Sequence, residues 1–468
     1  MGWLKHIRIS IVIRVFLFLF FAGTKLTAQQ TLTLKAALET AVANYGNIKA
    51  KTKYAEASGL LIEQARRDYL PNINFSLQQD IGTVNGQYGP AYGFGGLGVS
   101  SAGPALGYNN HDAAFGALYL TNVNWDFFAF GKAKEKIKTA EAVFASNKKD
   151  VAQEIFKHKI KVTATYLNLL AAAQLIESYK NNLARADTFK HVVHARALNG
   201  LVAGVDSTQA NAAYANAQIV LTNAIDYRQS QTSQLSQLLG ISLDTIEPDK
   251  NFVAHIPAVL QDTFSIQNHP VIQWYKSRID YGKEQEKYFK TMYYPTFSLV
   301  GVWQARGSGF GNNYALNQSD INHSYWDGIN PTRTNYLFGI GVTWNITQPY
   351  RLSQQVKSQQ AYTAGLEAEY NQASIEIKNQ LILSEQKIKN ALNNYKQVDI
   401  QVKAAKEAYL QKTVLYRNGL TTLVDLTQAM YALTSAETDR DIAYNNVWQA
   451  LLLKAAAAGD FSIFENQL

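Results

Sequence analysis

The sequence predicts a mixed α/β membrane protein made of two tandem structural repeats, together giving four β-strands and long antiparallel α-helical coiled-coil hairpins. Three observations carry that reading. The stretch Leu415–Gln428, LYRNGLTTLVDLTQ, has a second version 219 residues earlier at Arg196–Gln209, RALNGLVAGVDSTQ. Its spacing holds without a gap from Trp125/Trp344 through Asn199/Asn418, Gly200/Gly419, Asp206/Asp425 and Gln209/Gln428 to Gly240/Gly459. Four short segments alternate apolar and polar residues, and two long helical stretches, 132–240 and 352–459, contain no proline. A repeat of this length makes one body a better expectation than several unrelated domains.

Residues 1–28 read as a secretory signal peptide. Lys5, Arg8 and Arg14 precede the apolar run Val15–Gly23, and Ala28 offers a small residue for cleavage. Removing this segment takes away Lys5, Arg8, Arg14 and Lys25 and no acid. The 44 basic residues fall to 40 against 36 acidic ones, and the formal charge from +8 to +4, so no nucleic-acid partner is implied. The absence of cysteine excludes a disulfide framework, a thiolate metal site and a lipidated N-terminal cysteine.

Repeat 1 spans 29–240. Leu34, Ala37, Leu38, Ala41 and Val42 at three- and four-residue spacings predict a helix over 31–70, which Pro71 stops. Asn72-Ile73-Asn74-Phe75-Ser76-Leu77-Gln78 then alternates as a strand over about 72–79, and Tyr119, Thr121, Val123, Trp125 and Phe127 share one face of a second over 117–127. A linker of 241–268 leads to repeat 2, 269–459: a helix over 269–294, then Pro295, strands at 296–304 and 336–346, and a helical hairpin over 352–459 matching that over 132–240. Residues 460–468 form a tail.

The strands have one greasy face, with Phe75, Val123, Trp125, Phe297, Trp303, Ile340, Val342 and Trp344 expected to meet lipid, and one polar or bare face. That is the pattern of a membrane β-barrel, although a half-buried strand of a soluble sandwich alternates in the same way. Four strands are too few to close a membrane barrel, so several chains would pool theirs. The joining loops, about 80–116 and 305–335, are long, polar and expected to be extracellular. Gly93-Phe94-Gly95-Gly96-Leu97-Gly98 in the first matches a dinucleotide fingerprint but neither follows a strand of a βαβ unit nor opens a helix.

In the helical stretches, Ile377, Leu381, Ser384, Ile388, Ala391 or Leu392, and Tyr395 form a narrow coiled-coil stripe. Turns near Asn181 and Asp399 would end arms of roughly 70 Å. Asn199-Gly200 and Asn418-Gly419 read as helix stops. Asp206 with Gln209, and Asp425 with Gln428, read as capping boxes of the restarted helices. His191 and His194 stand three apart without a third ligand, and three methionines are too few for a thioether path, so no metal or cofactor is implied. No catalytic constellation stands out.

The duplicated order of helix, Pro-strand, loop, strand and long helix with an internal Asn-Gly resembles the TolC-like outer-membrane efflux proteins, the outer-membrane factors, from Thr31 to Gly459. Asn394-Tyr395-Lys396-Gln397 resembles the family's tyrosine-bearing hairpin tip, followed by Tyr416-Arg417-Asn418-Gly419 and Val424-Asp425. Asn268-His269-Pro270 fits its Asn-x-Pro, while Asn44-Tyr45-Gly46 has glycine in that place. The resemblance implies a homotrimer with a twelve-stranded barrel in outer-membrane lipid and a periplasmic helical tunnel. It implies a passive exit duct for efflux or type I secretion, docked to a periplasmic adaptor and an inner-membrane pump of RND or ABC type. It also places a periplasmic gate at the second hairpin's tip, with Tyr395 and Asp399 four apart on one face and Lys180 opposite; Tyr395 as a packing residue of the stripe is the plainer alternative. A periplasmic coiled-coil scaffold without a pore and an exported enzyme are the competing classes.

Overall fold

The computed structural model describes residues 31–86, 103–242, 247–249, 256–257 and 265–467; the expected signal segment and the Gly93–Gly98 run lie outside them. In chain order the elements are β1 (Thr31–Leu32), α1 (Leu34–Asn44), α2 (Gly46–Arg67), β2 (Asn72–Gly82), β3 (Ala114–Phe128), α3 (Lys132–Leu198), α4 (Gly204–Leu239) and β4 (Glu247–Pro248). The second half continues with α5 (Pro270–Thr291), β5 (Thr296–Ser308), α6 (Tyr325–Ile329), β6 (Arg333–Thr343), α7 (Gln348–Arg417), α8 (Leu423–Ala458) and α9 (Ser462–Glu465).

The duplication is visible in backbone detail. Helices α2 and α5 are both 22 residues long, and α4 and α8 both 36. Tyr45 before α2 has φ −63°, ψ 118°, and His269 before α5 has φ −62°, ψ 126°. The helix expected over 31–70 is therefore two helices, broken at Tyr45 as the second repeat breaks at His269. Gly46 opens α2 where Pro270 opens α5, because the first helical position has no intrahelical N–H bond to lose. Gly240 and Gly459 close α4 and α8 at φ 65° and 73°. A side chain at Gly459 would come within 2.7 Å of His269 Cα, so the close approach as well as the positive φ calls for glycine.

The expected turns near Asn181 and Asp399 do not exist. Helix α3 runs 67 residues through Asn181, and α7 runs 70 through Asp399. At about 1.5 Å per residue each has a contour of roughly 100 Å. No glycine or proline stands near either position to stop the helix, and Asn182 is buried with its Oδ1 accepting from Thr434 Oγ1 at 2.7 Å. The reversals fall instead at Asn199-Gly200 and Asn418-Gly419. Beyond them Ala213 and Ala217 cluster with Ala186, and Val447 and Ala450 with Ile388 and Ala391.

The chain divides into two compact units, and each draws on both repeats. One holds the described residues up to Lys53, Lys149–Trp274 and Asn371 onward; the other holds Tyr54–Lys148 and Tyr275–Tyr370. In the first unit the largest core joins Leu34 and Leu38 of α1, Val162, Tyr166 and Leu169 of α3, Leu235 and Leu239 of α4, and Trp448 and Leu451 of α8. Tyr166 donates to the Leu32 carbonyl at 2.6 Å. Two expectations change here. Residues 460–468 are not a bare tail, because Phe461, Ile463 and Phe464 are buried in this core. The expected linker contributes β4, which pairs in parallel with β1.

The second unit contains one four-stranded antiparallel sheet of order β2-β3-β5-β6. Its central ladder, β3 to β5, joins the two repeats, which alternation within each strand could not reveal. Strand ends shift from expectation: β2 reaches Gly82 and β5 reaches Ser308, while β6 starts early at Arg333 and stops short at Thr343. Within the second loop, α6 packs over the loop end of the sheet, where a side chain at Gly307 would strike the backbone of Gly328 and Asn330.

Candidate functional site

Directly opposed residues of an antiparallel ladder lie on the same face. The register sets Phe75 opposite Thr121, Ile73 opposite Val123, Thr121 opposite Trp303 and Trp303 opposite Tyr336. It likewise sets Trp125 opposite Leu299, Leu299 opposite Ile340 and Phe297 opposite Val342. Phe75, Val123, Trp125, Phe297, Trp303, Ile340 and Val342 thus share one face, and Phe75 and Ile340 on it are 68% and 70% exposed. Trp344 follows the last residue of β6 rather than lying within it. Asn74, Ser76, Asn122, Asn124, Gln304 and Asn335 share the other face.

A bulge between Trp125 and Phe128 corrects one position: Phe128, not Phe127, comes opposite Phe297. The extra residue flips the alternation. Asp126 within the bulge accepts from Ser298 Oγ at 2.5 Å. The outer strands β2 and β6 each leave one edge without a strand partner among the described residues. Each of these edges is eleven residues long and lies beside an exposed apolar face, and its backbone polar groups need partners or water.

The two reversals form the second feature. Gly200 and Gly419 have φ 70° and 75°, and Asn199 and Asn418 donate from Nδ2 to the carbonyls of Ala195 and Val414 at 2.7 and 2.9 Å. Leu201, Val205, Leu420 and Val424 are all exposed there. The capping assignment shifts by one turn. Thr422, not Asp425, is the N-cap of α8; its Oγ1 accepts from the Asp425 N–H, and Asp425 Oδ2 accepts from the Thr422 N–H. The hydrogen bond from Thr421 Oγ1, followed by those from the Thr422 side chain and N–H, holds the Asp425 carboxyl below its ordinary range. In repeat 1 the N-cap position is Ala203, so Asp206 is a first-turn acid without a box. Gln209 and Gln428 fall a turn further into their helices and close no box.

The gate candidates lie inside helices, well away from the reversals. Tyr395 packs edge-on to Tyr444 at 5.7 Å, within the buried stripe that includes Ile377, Ser384 and Ile388. Asp399 is exposed. Lys180 pairs with Glu177 at 4.0 Å, and no ion pair joins it to Asp399 among the described residues. Asn394–Gln397 is mid-helix and not a tip.

The sequence reading missed two buried histidines. His158 stacks on Tyr45 at 3.8 Å and donates from Nε2 to the Leu238 carbonyl. His269 donates from Nε2 to the Ala456 carbonyl at 3.1 Å and accepts the Val271 N–H on Nδ1. Burial lowers both imidazoles below their ordinary range. The pairing of Tyr45 with His269 between repeats was the available signal. His191 is paired with Asp187 and His194 with Ser207; among the described residues no cluster of metal-ligating side chains occurs. No described helix is long and apolar enough to cross a membrane.

A strand sheet with one greasy face, joined in one chain to helices of this length, defines the fold class: a mixed α/β chain of two tandem repeats. Residues 37–241 match the family described as Outer membrane efflux protein. No curated protein matches the chain in sequence. Among solved structures it is similar to the outer membrane protein VceC of Vibrio cholerae, with 16% identity, 91% of this chain and 96% of that one covered, and a TM-score of 0.72. The CmeC outer membrane channel of Campylobacter jejuni gives 14%, 91%, 85% and 0.73, and the open-state MtrE outer membrane channel of Neisseria gonorrhoeae 13%, 91%, 89% and 0.69. The chain shares the fold of these outer membrane channels, and its residues 37–241 match the Outer membrane efflux protein family.

Proposed function

We propose that the chain is the exit duct of a tripartite efflux or type I secretion assembly in the bacterial outer membrane, and that it works as a homotrimer. The observation that carries this reading is the four-stranded sheet with its exposed apolar face and two open edges. Backbone at membrane depth has no water to bond, so such edges must close into a barrel. Three chains pairing β2 of one with β6 of the next would give twelve strands, with Phe75, Val123, Trp125, Phe297, Trp303, Ile340, Val342 and Trp344 toward lipid and the Asn-rich face toward the lumen. Residues 1–28 would direct export and be removed. Loops 80–116 and 305–335 would face outward, and the exposed Leu201, Val205, Leu420 and Val424 at the reversals would meet the periplasmic adaptor that couples the duct to an RND or ABC pump. Tyr395, Asp399 and Lys180 would narrow the duct within its helical body rather than at its end.

The cysteine-free chain allows a direct test. Single cysteines placed along β2 and β6 should cross-link neighbouring chains into a ladder ending at the trimer, in outer-membrane fractions, and the purified trimer should conduct in planar bilayers. A protein released without detergent as a monomer would favour the periplasmic scaffold.

A further inference from the structure

At the end of the sheet opposite α6, within the second unit, a cavity of about 850 Å³ opens between the end of α2, the β3–α3 turn and α5. Five cations line it, Arg66, Lys132, Lys134, Lys136 and Lys138, against the carboxylates of Asp68, Asp126 and Glu141. Lys136 is bonded to Asp68, Lys138 to Glu135 and Arg66 to Glu141. That leaves Lys132 and Lys134 without an ion pair among the described residues.

The duplicate repeat shows that the fold does not demand this charge. At the positions 219 residues on, Lys132, Lys134, Lys136 and Lys138 become Arg351, Ser353, Gln355 and Lys357. Two of the four cations are lost, and the long helix still follows the strand, from Gln348 in repeat 2. The rim of the cavity is aromatic. Phe128 lines it and also lies on the apolar sheet face opposite Phe297. Phe130, held at φ 47°, packs at 4.9 Å from Phe128 and stacks on Tyr294 at 5.0 Å. Phe130 is the one non-glycine residue with positive φ among the described residues, and its counterpart Pro349 could not adopt that angle. Rings at the end of a greasy strand face, followed at once by unpaired lysines, are the pairing found where hydrocarbon gives way to headgroups.

We propose that this cavity binds the headgroup of an anionic phospholipid, with the phosphate at Lys132 and Lys134 and the acyl chains along Phe128 and the apolar face. The proposal rests on the membrane-barrel reading and deepens it: Lys134, which repeat 2 replaces with Ser353, beside Lys132 gives each chain one anionic lipid seat at the periplasmic end of the barrel.

The test is native mass spectrometry of the detergent-extracted trimer titrated with phosphatidylglycerol, phosphatidylcholine or inorganic phosphate, on the wild type and on Lys132→Gln/Lys134→Gln. Wild type should retain phosphatidylglycerol in preference to phosphatidylcholine, and the double variant should bind it on the order of 30-fold more weakly, while inserting and conducting as wild type does. Equal phosphatidylglycerol retention by both proteins would overturn the site. So would equal retention of phosphatidylcholine, or saturation by inorganic phosphate with no lipid bound. Protection of both lysines from acetylation in lipid-stripped trimers would mean that a neighbouring chain fills the cavity, and would overturn it too. A wild type that neither trimerises nor inserts would fail at the earlier step, taking the duct reading with it.

Discussion

Arg196, in the last turn of α3, donates from Nη1 to the carbonyl of Tyr416 in the last turn of α7 at 2.7 Å, and its guanidinium lies 5.1 Å from the centre of the Tyr416 ring. The same nitrogen reaches the Arg417 carbonyl at 3.1 Å. The tip of the first hairpin thus caps the C-terminus of α7, the first arm of the second, where free carbonyls and the helix dipole favour a cation. The position equivalent to Arg196 in repeat 2 is Leu415, so the clamp runs one way only. Replacing Arg196 by Ala should cost about 1 to 3 kcal/mol, since it removes charged hydrogen bonds to part-buried carbonyls. Hydrogen exchange over 412–420 should quicken, with Arg196→Lys recovering part of the protection. Unchanged exchange would remove the clamp from the account.

The two restarts differ at the N-cap, Thr422 in one and Ala203 in the other, which makes a reciprocal pair of variants informative. Thr422→Ala should lose roughly 0.5 to 2 kcal/mol of local stability by breaking the box at α8. Ala203→Thr should build the missing box with Asp206 at α4 and gain a similar amount. Thermal melts and exchange around 203–210 and 422–429 read both, and a shift in the same direction for the two would contradict the assignment.

On the sheet, Lys at Phe75 or Ile340 should cost about 2 to 4 kcal/mol if the position is near the bilayer midplane. Lys at Asn74 or Asn122, on the opposite face, should be far milder. Folding titrations in detergent or liposomes measure the difference, and equal tolerance on the two faces would reject the orientation.

His158 and His269 give the helical body a predictable acid limit. Both are held neutral by burial, and His269 needs a bare Nδ1 to accept the Val271 N–H. A folded-state pKa below the unfolded value of about 6.5 means that the unfolded chain takes up the proton first. The stability these groups contribute is therefore present above about pH 6.5 and is lost as pH falls from there toward their folded values. The midpoint of thermal unfolding should drop between pH 7.5 and 5.5, and His269→Gln should flatten part of that dependence. A melt independent of pH over this range would show that neither group is held neutral.

The gate candidates now make a sharper prediction than they did as tip residues. Tyr395 lies against Tyr444, whereas Asp399 is exposed. Asp399→Ala should raise conductance in planar bilayers if Asp399 narrows the lumen, while Tyr395→Phe should leave the ring packing and the trimer's stability unchanged. Wild-type conductance in both variants would reduce Tyr395 to a packing residue.

Much was legible in local sequence because its causes are local. Asn-Gly at 199–200 and 418–419 needs a left-handed glycine whatever surrounds it, and alternation in β2, β3, β5 and β6 sorts Phe75 and Ile340 from Asn74 and Asn122 by pleat alone. The 219-residue offset showed the duplication because matching backbone constraints recur at matching positions. Tertiary structure decided what depends on partners far along the chain. Nothing near Asn181 or Asp399 says whether a helix turns there; continuity follows because the buried stripe, with Asn182 bonded to Thr434, has neighbours along its length. The β3–β5 ladder, the burial of Phe461 and Phe464, the clamp of Arg196 on Tyr416 and the convergence of Arg66 with Lys132 and Lys134 each join residues that share no local pattern. Such contacts arise from three-dimensional packing, and a one-dimensional period cannot encode them.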